Sequence, residues 1–356
     1  MRVVLALALV LLAAGVAGYW QRGAIASALM ERAIARNLAA DPIAELVDGL
    51  HVGLCGAGGP LTDPVRSGPC VVVIAGRTVL LVDAGSGASR NLSRMGFSPG
   101  EIRAVFLTHF HSDHIDGLGE VALQRWTNAN ATSPLAVYGP TGVNDVVGGF
   151  NAAYRIDARY RTSHHGEVVA PPSGAGMQPM PFDAPAMETA TPVWDGEGVT
   201  VIAFRVEHDP ADPAVGYRFE YGGRVAVVTG DTHASQNIVR FAAGADLLAH
   251  EALSPALVGR LQRAATNAGR PNVAKIALDI PSYHTSPADA ADTAERAEVK
   301  HLLLYHVLPP LPLPGLEAAF MEGVDRAYSG PVTVGRDGTF VSMPSGSTAI
   351  DVGMRL

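Results

Sequence analysis

Three imidazoles and a carboxylate fall within six positions at His109-Phe110-His111-Ser112-Asp113-His114. The run directly follows Ile102 to Leu107, which is apolar except for Arg103 and reads as a buried strand. A loop leaving a buried strand projects its side chains together from one sheet edge. Imidazole and carboxylate suit zinc, and two adjacent ions need both kinds of ligand. The bland alternative is a solvated loop with chance histidines. Against it, three further groups follow apolar β-runs in the same way: His208 after Val199 to Val206, Asp231 after Val225 to Val228, and His306 after Leu302 to Leu304. Any fold for this chain must bring these strand ends to a common edge. Together they make two three-residue ligand sets with one shared carboxylate, the requirement of a two-metal hydrolytic centre.

The surrounding pattern supplies such strands. Val71 to Ala75 and Thr78 to Val82 read as a hairpin turned at Gly76-Arg77, and Val215 to Tyr221 and Val225 to Val228 as another turned at Gly222-Gly223. Pro134 to Tyr138, Leu247 to Leu248 and Val332 to Val334 read as further short strands. Helical patterns cover the stretch after Tyr138 to about Tyr154, Leu253 to Ala268, Pro287 to Ala297 and Leu316 to Tyr328. Hairpins followed by strand–helix alternation imply mixed sheets covered by helices. Val168 to Pro192, rich in Pro, Gly and Met without periodicity, reads as a long loop or lid.

Before these strands, Met1-Arg2 precedes an apolar run from Val3 to Trp20, with a small-x-small site at Gly15-Val16-Ala17. The expectation is a signal peptide or N-terminal membrane anchor over 1–20 and a linker helix over 21–48, ended by Asp41-Pro42. A hydrolase domain over 49–345 and a C-terminal tail over 346–356 would follow. Arg2 marks the cytoplasmic end, so the bulk of the chain is expected outside the cytoplasm: periplasmic, secreted or membrane-anchored. The net charge is −8, and Lys275 and Lys300 are the only lysines. With no basic run, the chain reads as a poor polyanion binder. The expected partner is a small-molecule ester, with nucleic acid not expected, a membrane if the leader stays attached, and a homodimer left open. Cys55 and Cys70 are too few for a disulfide framework or a four-cysteine zinc site. Whether they pair, the sequence does not decide.

His109-Phe110-His111-Ser112-Asp113-His114 resembles the HxHxDH signature of the metallo-β-lactamase superfamily, and Asp83-Ala84-Gly85 its upstream Asp-x-Gly strand end. The finer features resemble the branch holding ribonuclease Z and the zinc arylsulfatases. These are Gly56-Ala57-Gly58, His208 ahead of Gly216-Tyr217, Gly230-Asp231-Thr232, His250-Glu251, His284-Thr285-Ser286 and His306. The resemblance spans roughly Leu50 to Ser342.

It implies a four-layer αββα sandwich with the site at one edge of two sheets. It implies two Zn2+ ions, with manganese or iron as open alternatives: His109, His111 and His208 on the first, Asp113, His114 and His306 on the second, and Asp231 bridging. Asp113 would orient or deprotonate the nucleophile, His284 would give the leaving oxygen its proton, and Asp83 would orient the histidine loop. Two features set the chain apart from ribonuclease Z: its leader, and the absence of Lys and Arg from Val168 to Pro192, taken as the counterpart of the basic tRNA-gripping arm. The main expectation is therefore a phosphodiesterase or arylsulfatase-like ester hydrolase. The alternatives are a ribonuclease Z-type tRNA 3′ endonuclease and a lactonase- or β-lactamase-like hydrolase. A non-enzymatic metal-binding protein would need a vestigial ligand set, and no ligand position is replaced.

Among the other histidines, His164-His165 read as a surface pair, His233 as divided between pocket and solvated turn, His250-Glu251 as hydrogen-bonding support, and His301 as structural. Trp126 reads as a core aromatic and Cys55 as a small packed residue.

Overall fold

The β-branched runs pair into two sheets in a computed structural model that describes residues 2–356. The first sheet holds β1 (Gly49–Gly56), β2 (Cys70–Ala75), β3 (Thr78–Val82), β4 (Ile102–Phe106), β5 (Leu135–Pro140) and β6 (Met177–Phe182). The second holds β7 (Ala190–Gly196), β8 (Val199–Val206), β9 (Ala214–Tyr221), β10 (Arg224–Val228), β11 (Leu247–Leu253), β12 (Leu302–Leu308) and β13 (Val332–Val334). The chain then returns to the first sheet with β14 (Thr339–Pro344) and β15 (Asp351–Met354), giving the orders β15-β14-β1-β2-β3-β4-β5-β6 and β13-β12-β11-β10-β9-β8-β7. Both anticipated hairpins form. The β9–β10 turn has two glycines at positive φ, as a tight right-twisted turn demands.

The sheets pack face to face. Leu50, Val52, Val73, Leu80 and Phe106 of the first bury against Val201, Tyr217, Phe219, Val228 and Leu303 of the second. Phe106 sits at the centre of this layer, with ring centroids 5.0 Å from Tyr138, 5.5 Å from Tyr217 and 6.1 Å from Phe219. Helices cover the outer faces, as the four-layer sandwich requires. Over the first sheet lie α2 (Ala88–Arg94), α4 (Leu118–Ala129) and α5 (Val143–His165), with the one-turn α3 (Ser112–Ile115) inside the histidine loop. Over the second lie α6 (Gln236–Phe241), α7 (Pro255–Asn267), α9 (Pro287–Arg296), α10 (Leu316–Phe320) and α11 (Val324–Ala327), with α8 (Pro271–Asp279) against α7.

Several expectations change. Val168 to Pro192 is no lid: it contains β6 and the start of β7, two edge strands. Pro179, Pro181 and Pro192 hid them, because proline is tolerated on an edge where no partner needs its missing N–H. Residues 346–356 are not a loose tail but carry β15, paired with β14. The helix expected over Leu316 to Tyr328 is broken at Gly323, whose φ is 89°. His164 and His165 form the last turn of α5 rather than a loop.

The chain divides into the units Met1–Glu45 and Leu46–Leu356. In the first, α1 (Arg2–Ala39) is one uninterrupted 38-residue helix, with no break between leader and linker at residue 20. Met1 lies outside the described residues. Among the described residues no helix is long and apolar enough to cross a membrane. The membrane-anchor reading, and the location outside the cytoplasm drawn from it, are accordingly withdrawn. The apolar run continues in the same helix into a stretch bearing Arg22, Glu31, Arg32 and Arg36.

Cys55 on β1 and Cys70 on β2 are joined in a disulfide closing a 15-residue separation. A loop of that size restricts the unfolded chain by about 3 kcal/mol. Replacing both cysteines by alanine should lower the unfolding free energy by about that amount in a urea titration. An unchanged midpoint and slope would show that the bridge does not hold the two strands.

Candidate metal centre and active site

Strands β3, β4 and β5 run parallel, as do β10, β11 and β12, and β8 shares the direction of β10 through two antiparallel steps. Their C-terminal ends meet at one edge of the sandwich, where open α/β sheets place ligands. Asp83 follows β3, His109 to His114 follow β4, His208 follows β8, Asp231 follows β10, and His306 lies in β12.

Within the described residues, three groups have ligand atoms within 4.8 Å of one another: His109, His111, His208 and Asp231; Asp113, His114 and His306; and Asp231, His284 and His306. The first two groups each draw on both sheets. All seven residues expected as ligands are thus brought together. His284 joins them from the loop before α9, its ring 5.2 Å from His208 and 5.5 Å from His306.

The rings are held by their outer nitrogens. Asp83 accepts from the Thr108 backbone N–H (2.8 Å), the Thr108 hydroxyl (2.8 Å) and His114 Nδ1 (2.8 Å). Since the Thr108 hydroxyl proton goes to Asp83, its oxygen accepts from His109 Nδ1 at 3.0 Å. His208 Nδ1 donates to the Tyr283 carbonyl at 2.9 Å. These bonds select the tautomers in which His109, His114 and His208 turn an Nε2 lone pair inward. Asp83→Ala should therefore weaken metal affinity by roughly 10–100-fold in a chelator competition. Unchanged affinity would mean that Asp83 only packs.

The backbone is bent to serve the site. Asp83 and His306 have φ of 56° and 47°, a region non-glycine residues rarely adopt. The β11–β12 ladder pairs Glu251 with Tyr305 and then Ala252 with Val307, so His306 is the extra residue of a bulge, which re-aims its ring. Gly59 makes room for it: a Cβ there would come within 2.8 Å of His306 Cε1.

The donor set fits divalent cations. His111 Nδ1 lies 3.0 Å from His109 Nε2 and 3.3 Å from His208 Nε2. Asp231 lies 3.3 Å from His114 Nε2, 3.4 Å from His306 Nε2 and 3.7 Å from His208 Nε2. His114 Nε2, Asp231 Oδ1 and His306 Nδ1 are buried without a hydrogen-bond partner. Converging lone pairs and orphaned buried acceptors repel one another unless a cation stands among them. Burial pushes His109, His111 and His208 down, toward the neutral ligand form. Burial would push Asp231 up, but the His306 and His114 imidazoles outweigh it and hold the carboxyl well below its usual range.

Glu251 is the group the sequence only half discloses. It is fully buried in β11, and its Oε1 accepts from His284 Nδ1 (3.1 Å), the Thr285 N–H (2.9 Å) and the Thr232 N–H (3.3 Å). Burial disfavours the His284 cation. The adjoining Glu251 carboxylate, by charge and hydrogen bond, overrides it, aided by Asp231, and pushes the imidazole up to about 9. Sequence reasoning misses Thr108 and Tyr283 altogether, and adjacency to His109 and His284 is their only signal. His250 is buried with its Nδ1 on the Glu251 carbonyl, outside the ligand groups. His233 is half-buried and also outside them, and His301 bonds Thr333. Trp126 is a core residue whose indole donates to the Pro171 carbonyl.

Two helix-flanked sheets with paired ligand clusters at one edge define a metal-dependent hydrolase acting on ester bonds. The chain belongs to the metallo-beta-lactamase superfamily, whose family model matches residues 63–279. It is 35% identical over 290 residues to ribonuclease Z of Mycobacterium bovis (strain BCG / Pasteur 1173P2), covering 81% of this chain and 96% of that one. To ribonuclease Z of Mycolicibacterium paratuberculosis it is 34% identical, with the same coverage. Among solved structures, human tRNase Z, short form, matches with a TM-score of 0.56 and 23% identity over 83% of this chain and 99% of that one. The metallo-beta-lactamase fold protein YhfI from Bacillus subtilis matches with a TM-score of 0.57 and 18% identity over 83% and 100%. These two support the fold alone.

The relatives overturn the expectation that nucleic acid is no partner. That expectation rested on a whole-chain charge of −8, which averages over the surface. It rested also on a presumed arm at Val168 to Pro192, a stretch whose strands lie along the edges of the two sheets.

Proposed function

We propose that the chain is a ribonuclease Z-type endonuclease that hydrolyses a phosphodiester bond at the 3′ side of tRNA precursors. The carrying observation is the 35% identity extending over 96% of a mycobacterial ribonuclease Z. It ranks this reading above the small-ester phosphodiesterase or arylsulfatase expected from charge and leader.

In this reading His109, His111 and His208 would hold one zinc ion, Asp113, His114 and His306 would hold a second, and Asp231 would serve both. Bound there, the ions supply a water acidified to a pKa of about 7 and positive charge against the developing oxyanion. Asp113, half-buried and 3.3 Å from His306 Nε2, orients the attacking water. His284, charged through Glu251, gives its Nε2 proton to the leaving ribose oxygen. Asp83 and Thr108 keep the histidine loop in register.

The test is a hydrolysis panel on the purified zinc-loaded chain: precursor tRNA, an aryl sulfate, a lactone and a β-lactam. Cleavage of the precursor at one 3′ position, abolished by chelator and restored by zinc, is expected. Turnover of the aryl sulfate or lactone with intact precursor would overturn the reading.

A further inference from the structure

The Tyr283 side chain stands at the site without a role in holding metal or moving protons. It follows the short turn Ile280–Ser282, and its carbonyl is pinned by His208 Nδ1 at 2.9 Å. Its ring centroid lies 5.4 Å from His208, nearly edge-on, and 5.0 Å from His284. It packs against the apolar cluster of Leu253, Ile280 and Leu308, which Leu61 also joins. The ring is only half-buried, and its hydroxyl has no hydrogen-bond partner among the described residues. A rigid aromatic surface is thus anchored beside the reacting groups and left partly open, which costs free energy unless something flat covers it.

We infer that Tyr283 is the platform on which a nucleobase flanking the scissile phosphate stacks, an inference that rests on the RNA reading above. Every base has a π-face, so the platform selects an unpaired nucleotide at the cut site rather than a sequence. Its backbone tie to His208 sets the base in register with the metal ligands. The substrate this favours is a single-stranded stretch adjoining the cleaved bond, because a base stacked within a duplex has no free face to offer.

The experiment uses the full zinc-loaded chain and RNA substrates that carry, or lack, the base on each side of the cleaved bond. Tyr283→Ala and Tyr283→Leu should lower kcat/KM on base-bearing RNA by roughly 5- to 150-fold, chiefly through KM, while Tyr283→Phe retains the wild-type value. On RNA abasic at the contacted position, wild type should fall to the level of Tyr283→Ala, and the variant should lose nothing further. Zinc content by mass spectrometry should equal wild type, which separates stacking from damage to His208. Equal losses on base-bearing and abasic RNA, or no loss from Tyr283→Leu, would overturn the inference. If wild type cuts no RNA, the functional reading falls first and this inference with it.

Discussion

His284→Ala should slow RNA cleavage by roughly 10²–10⁴-fold while leaving hydrolysis of bis(p-nitrophenyl) phosphate far less affected. A ribose alkoxide cannot leave without a proton, whereas nitrophenolate can. The difference between the two substrates is therefore the signature of a general acid, and equal loss on both would assign His284 to metal binding instead. The pH profile carries the same argument. A general acid acts only while protonated, so activity on RNA falls as pH rises through its pKa. With Glu251 raising the imidazole to about 9, the alkaline limb of wild type is expected toward that value. Glu251→Gln removes the adjoining anionic partner and leaves only Asp231 to oppose burial, so the limb should move to lower pH, toward the unperturbed value of about 6.5. A limb that stays in place would show that another group sets it.

Asp231→Ala is expected to have the second large effect. One buried carboxylate faces four imidazoles, those of His109, His114, His208 and His306, between 3.3 and 3.9 Å away. Placed between two dications it would offset their repulsion, so its removal should cost one or both ions and more than about 100-fold in kcat/KM. Zinc per chain after gel filtration is the measurement. A full complement with a wild-type rate would remove Asp231 from the centre.

The parts of the molecule legible in the sequence are those where local pattern and chemistry agree. The His109 to His114 loop follows a strand apolar except for Arg103, and the Gly76 and Gly222-Gly223 turns sit between short strand-like runs. What stays hidden has identifiable causes. β11 and β12 read as two- or three-residue runs because His250, Glu251 and His306 interrupt the apolar pattern, yet these polar groups are buried and within strands. The bulge that turns His306 inward depends on register with Glu251, which no one-dimensional pattern records. Tyr283 gains its meaning from its closeness to His208, which lies 75 residues away in sequence. Net charge misleads because it is a sum, whereas recognition of a polyanion depends on where charges sit.

The two-sheet origin of the first two ligand clusters has a thermodynamic consequence. His109 and His111 belong to one sheet, His208 and Asp231 to the other, so a cation held by all four would be a crosslink between halves otherwise joined by apolar packing and a few hydrogen bonds, such as that from the Tyr217 hydroxyl to the Leu107 carbonyl. Ligand binding confined to the folded state adds about 4 kcal/mol at a thousandfold excess over its dissociation constant. Metal supply thereby governs how tightly the halves dock as well as how fast the enzyme turns over. In a zinc-starved cell the fold would lose this contribution together with the activity, leaving the chain more exposed to proteolysis.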